Sequence, residues 1–164
     1  MAGNVKTIPE GFRTLTPYLV VRDAAKAVEF YTKAFGADAR SVHYAPDGKI
    51  MNADLKIGDS VLLLSEEFPG AQCRSPQSIG GTSVTIHIYV EDVDGWFNRA
   101  VSAGATILMP VMDMFWGDRY GQLKDPFGHH WALATHKEDP TSEEIERRAK
   151  EVFAKIASQG QHQA

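Results

Sequence analysis

Residues 19–37 read LVVRDAAKAVEFYTKAFGA, and residues 87–105 read HIYVEDVDGWFNRAVSAGA. Each has an apolar strand end, an Asp, a helix-period run carrying aromatics, and a Gly-Ala exit. The two segments lie about 70 residues apart, which marks an internal duplication. Upstream of the first, Leu15, Leu19 and Val21 alternate with Thr16, Tyr18 and Val20, predicting a half-buried strand from Thr14. Asp23 suits the helix N-cap, Ala27, Phe30, Tyr31, Ala34 and Phe35 recur at helical spacing, and Gly36 stands where a C-cap glycine belongs. Strands are then expected over 39–44, 49–57 and 60–65, separated by Pro46-Asp47-Gly48 and Gly58-Asp59.

The second copy repeats this order. Ile86, Ile88 and Val90 alternate with Thr85, His87 and Tyr89, and Asp92 caps a helix through Trp96, Phe97, Ala100 and Val101 to Gly104. A strand over 105–111 follows. Residues 113–136, DMFWGDRYGQLKDPFGHHWALATH, then supply a hairpin with a type I turn at Asp125-Pro126-Phe127-Gly128. Between the copies, residues 66–82 hold five Gly or Pro and read as a connecting loop. Thr141 and Glu144 form a capping-box pattern, and Ile145, Ala149, Val152, Phe153 and Ile156 mark one apolar face of a terminal helix. Residues from Gln159 are expected to fray.

The expected class is α+β: two paired βαβββ modules plus a C-terminal helix. Residues 1–13 form a lead-in, 14–66 and 83–136 the modules, 67–82 the linker, and 137–164 the helix and tail. Each module has one apolar strand face for its helix and one mixed face. Pairing the modules would line a shared concavity with the mixed faces.

Composition narrows the function. A formal charge of −4 with no basic run argues against nucleic acid. No apolar stretch approaches the roughly 18 residues of a membrane helix, so no membrane partner is expected. The start, MAGNVKTIPEGFR, lacks the apolar core of a signal peptide, which makes a cytoplasmic protein the expectation. The single cysteine, Cys73, excludes an intrachain disulfide and reads as an inert surface thiol.

Four phrases, PYLVVRDAAKAVEFYTKAFGA, DGKIMNADLKIGDSVLLLSEE, VTIHIYVEDVD and FWGDRYGQLKDPFGHHW, carry a family likeness. Over residues 14–136 the chain resembles the vicinal oxygen chelate superfamily, closest to its PhnB-like branch. That superfamily includes glyoxalase I, extradiol dioxygenases and bleomycin-resistance proteins. The resemblance implies a small-molecule ligand and a homodimer, with the C-terminal helix a possible contact. Metal-dependent members place His or Glu on the first and last strands of each module. Matching the strand-to-helix exits puts Thr16, Leu63, Thr85 and Ala132 at those positions. Two hydroxyls, a Leu and an Ala are not a ligand set for a divalent metal. No cofactor is therefore expected, and a divalent metal is not excluded.

Candidate catalytic groups are His87, His130 and Asp118. An ordinary histidine titrates near neutrality, and both histidines are expected on the mixed face. The same alignment offsets them by four residues on adjacent strands, about 13 Å, too far for one metal. His129 is expected on the helix-packed face as a structural histidine, and His43 near an exposed turn. Tyr18, Tyr89, Trp116 and Tyr120 offer flat walls with polar tips, Arg119 can match charge, and Thr16, Leu63, Thr85 and Ala132 complete the expected lining. The alternative is a hairpin whose polar groups merely satisfy one another. Three functions follow. The first is a metal-independent protein that binds or sequesters a small organic ligand. The second is a metal-independent isomerase, epimerase or lyase using His and Asp as acid and base. The third, disfavoured by the strand alignment, is a metal-dependent glyoxalase-type lyase or dioxygenase.

Overall fold

The computed structural model describes residues 5–160. The first module comprises β1 (Tyr18–Val21), α1 (Ala24–Phe35), β2 (Asp38–Tyr44), β3 (Ile50–Ile57) and β4 (Ser60–Glu66). After a short helix α2 (Pro76–Ile79), the second comprises β5 (Thr85–Tyr89), α3 (Val93–Ser102), β6 (Thr106–Asp113), β7 (Asp118–Lys124) and β8 (His130–His136). Helix α4 (Ser142–Gly160) follows. The sheets have equivalent orders, β1-β4-β3-β2 and β5-β8-β7-β6, with the first pair in each order parallel. The duplication in the sequence is a duplication in space.

Local chemistry sets the helix ends. Asp23 adopts a left-handed conformation with φ 66, and its carboxylate accepts from Lys26 N at 3.3 Å. Asp tolerates this region because its short polar side chain bonds locally. The Glu66 carboxylate accepts from the free backbone N–H groups of Asp23 and Ala24, pinning the start of α1 to the end of β4. Gly36 closes α1 at φ 65. Asp92 caps α3 through Gly95 N, 3.0 Å away.

Three expectations need correction. The first strand begins at Tyr18 rather than Thr14: Pro17 interrupts the alternation, Leu15 is 87% exposed, and Thr16 Oγ1 bonds back to Arg13 O. The linker is not all loop, because Ser75 caps α2 and Pro76 opens it. Nor do the mixed faces close over a common concavity within the chain. The modules meet through their helix-bearing faces, and the mixed faces stay open, with Tyr18 53% and Tyr89 62% exposed.

The shared core explains that arrangement. Phe30, Tyr31 and Phe35 of α1 pack with Phe97 of α3 and with Phe127 and Trp131 of the terminal hairpin. Phe35 lies 4.7 Å from Trp131 and 6.3 Å from Trp96, centroid to centroid. Burying a large apolar side chain is worth about 1.5–3 kcal/mol, so this aromatic cluster dominates the union of the modules. Arg99 Nε also donates to Ala34 O at 2.8 Å. At the edges of the modules, Leu15, Pro17, Val61, Ile86 and Tyr89 line part of a cleft of about 690 Å³.

Helix α4 starts as read: Glu144 N donates to Thr141 Oγ1 at 3.2 Å. Ile145 and Ala149 are half-buried, whereas Val152, Phe153 and Ile156 are exposed. Gln159 and Gly160 are helical; the rest of the expected frayed end, 161–164, lies outside the described residues, as does the lead-in at 1–4.

Candidate functional site

Strand register gathers the chemistry on the mixed face of the second sheet. Thr85, His130 and Lys124 form one cross-strand row, and His87, Ala132 and Gln122 the next. Tyr89, Ala134 and Tyr120 form a third, and His136 with Asp118 a fourth. Alternation puts all of these side chains on the face away from α3. The two alanines on the central strand β8, Ala132 and Ala134, are buried at 1% and 0% exposure. His87 and Tyr89 from one side and Gln122 and Tyr120 from the other cover them, forming a continuous aromatic face.

The walls are tied together. The His87 ring lies 4.6 Å from that of Tyr89 and 5.7 Å from that of Tyr120. Trp116 meets Tyr120 edge to face at 5.6 Å, and Gln122 Nε2 donates to Tyr120 Oη at 2.6 Å. Asp118, buried with a side chain only 5% exposed, is the anchor. Its Oδ2 accepts from Tyr89 Oη and Trp116 Nε1, each at 3.0 Å, and its Oδ1 pairs with His136 Nδ1 at 2.8 Å. His136 Nε2 meets Asp139 Oδ1 at 2.9 Å.

These contacts set the charges. Burial opposes ionisation of Asp118, but hydrogen bonds from His136, Tyr89 and Trp116 outweigh it and hold the carboxyl below its ordinary range. Bonds from Asp118 and Asp139 raise the His136 pKa, favouring the imidazolium. Desolvation lowers the His87 pKa, with the Asp118 charge only partly opposing it, so the ring is neutral at pH 7. Tyr89, donating to Asp118, is held protonated.

Of the anticipated residues, His87, His130, Asp118, Thr85, Tyr89, Tyr120 and Ala132 share this face, and Trp116 reaches it from the β6–β7 loop. Arg119 does not. It alternates to the other side of β7, where it forks onto Asp94 of α3 at 2.6 and 2.8 Å and reaches Asp113 at 3.2 Å. Tyr18 and Leu63 pair with each other on the first sheet, and Thr16 precedes its strand. Asp118 is likewise not a free acid or base, because three donors occupy both of its oxygens.

His129 is buried on the helix side, its Nε2 3.2 Å from Val20 O. His43 is exposed on β2 beside Ser41, and Cys73 is exposed. His136 and Gln122 had escaped notice, although alternation from His130 through Ala132 and Ala134 leads to His136.

The register also corrects the spacing of His87 and His130. Thr85 shares a row with His130 rather than with Ala132, so His87 and His130 are offset by two residues, about 7 Å along the strands. Distance alone therefore no longer separates them. The four positions inferred from the resemblance, Thr16, Leu63, Thr85 and Ala132, hold no imidazole or carboxylate. Among the described residues no three His, Cys, Asp or Glu side chains group so as to hold a metal ion. None of the described helices is long and apolar enough to cross a membrane.

Known proteins share this fold. An uncharacterized protein of Mycobacterium tuberculosis (strain H37Rv) is 44% identical over 89% of this chain and 84% of its own. The crystal structure of TioX from Micromonospora sp. ML1, 29% identical, covers 76% of this chain and 98% of its own with a TM-score of 0.62. TnmS3, an antibiotic binding protein from Streptomyces sp. CB03234, is 21% identical and shares the fold, with a TM-score of 0.57 over 76% of this chain and 96% of its own. The sequence model of one family matches residues 13–133. With its paired βαβββ modules, the chain belongs to the Glyoxalase/Bleomycin resistance protein/Dioxygenase superfamily.

Proposed function

We propose that the protein binds and sequesters a small, flat organic molecule on the mixed face of the second sheet, without a metal. One observation carries this reading: buried Asp118 holds the polar tips of Tyr89 and Trp116, fixing an aromatic face that covers Ala132 and Ala134. Rigid aromatic walls favour planar ligands because their ordering entropy is already spent. Antibiotic binding by TnmS3, on the same fold, supports a binding role. The open sheet faces, with Tyr18, Tyr89 and Met112 exposed, fit a homodimer in which a second copy covers part of the aromatic face.

The test is a thermal-shift and tryptophan-fluorescence screen of planar aromatic compounds against the wild type and Trp116→Ala. Saturable binding that weakens in the variant supports the reading. Binding that ignores the variant, or no binding across the panel, overturns it.

A second reading rests on His87, a neutral imidazole between two tyrosines. It would serve as the base of an isomerase, epimerase or lyase acting on a small carbonyl or hydroxy compound. Turnover with a pH profile abolished in His87→Ala would select this reading.

A further inference from the structure

We propose that His136 is the docking point for the carboxylate of an aromatic acid, and that Asp139 occupies that point as a displaceable stand-in. This rests on the binding-face reading above and adds the chemical class of ligand.

The rows of the sheet place His136 at the end of the aromatic face, one row beyond Tyr89, Ala134 and Tyr120. Its Nδ1 is committed to the buried Asp118, which orients the ring and leaves Nε2–H as the one outward donor. That donor is taken by Asp139, whose side chain is 96% exposed. Among the described residues Asp139 makes no other side-chain hydrogen bond or ion pair. An exposed pair of this kind is weakly held, so a carboxylate anchored by stacking can replace it.

The exchange puts one carboxylate in place of another on the imidazolium, while the freed Asp139, 96% exposed, turns to solvent. The neighbouring groups agree. Asp118 is the one carboxylate within these rows, and its oxygens are filled by Tyr89, Trp116 and His136. Thr85, Lys124, His87 and His130, also in the rows, include donors suited to a ligand rich in acceptors. Glu138, next to Asp139, is drawn away onto Arg148 at 2.6 Å. A carboxylate at His136 therefore meets one displaceable competitor.

The experiment compares naphthoate with its neutral isostere naphthamide, by calorimetry at pH 6.5, on the wild type, His136→Gln, Asp139→Ala and Trp116→Ala. The expected result is naphthoate binding about tenfold more tightly than naphthamide, as a charge-assisted bond implies. That preference should vanish in His136→Gln and rise several-fold in Asp139→Ala, where the exposed substitution leaves the fold untouched. Equal affinities in the wild type, or a preference that falls in Asp139→Ala, overturn the inference. If both ligands bind equally and both weaken in Trp116→Ala, the binding-face reading survives. If neither binds, both readings fall.

Discussion

Tyr31 of α1 donates a 2.7 Å hydrogen bond from Oη to Asp125 Oδ2 in the turn of the terminal hairpin, joining residues 94 positions apart. Asp125 also accepts from Trp131 Nε1 and from the backbone N–H groups of Phe127 and His129. One buried carboxylate thereby shapes the turn, orients the core tryptophan and ties the second module to the first helix. Removing one donor and removing the acceptor should differ sharply. Tyr31→Phe should cost about 1 kcal/mol. Asp125→Ala, which strands four buried donors, should cost about 3–5 kcal/mol. Urea unfolding followed by circular dichroism measures both; equal losses would refute the shared-anchor role.

Asp118 plays a similar part at the aromatic face. Asp118→Ala should lower stability by about 1–3 kcal/mol and release the tips of Tyr89 and Trp116. Trp116 fluorescence should gain sensitivity to added quencher. An unchanged quenching constant would mean the tryptophan is held by its aromatic neighbours instead.

The pKa of His136 is raised by its bonds to Asp118 and Asp139, so the protonated ring is the form the fold favours. The sign follows by linkage: this contribution is fully present below the unfolded value near 6.5 and is lost as pH rises through the higher folded value. Histidine resonances followed by NMR should show His136 titrating above 6.5, and Asp118→Asn should bring it down. His87 should titrate below 6.5, because burial disfavours its charge.

Incubation with nickel, zinc, manganese or ferrous iron followed by dialysis should leave less than one metal per chain by elemental analysis. Stoichiometric retention that resists dialysis would restore the metal-dependent readings and direct attention to His87 and His130, now two rather than four residues out of step.

Much of this fold is local in origin and was legible in the chain. Asp23 and Asp92 announce their helices, Gly36 ends one, and period-two runs mark β5 and β8, because capping and side-chain alternation depend on neighbours a few residues away. The family likeness and the duplicated modules were legible for the same reason. What only the tertiary structure decided is registry and partnership. Parallel pairing of β5 with β8 sets Thr85 against His130, a relation between segments about 45 residues apart that no local periodicity encodes. Asp118 reads as a candidate catalyst until three donors from separate positions converge on it, and Arg119 as a ligand group until α3 presents Asp94. His136 gains its interest only where Asp118 and Asp139 meet it from two sides. The sequence determined which elements form; packing decided which polar side chains are consumed and which are left to bind.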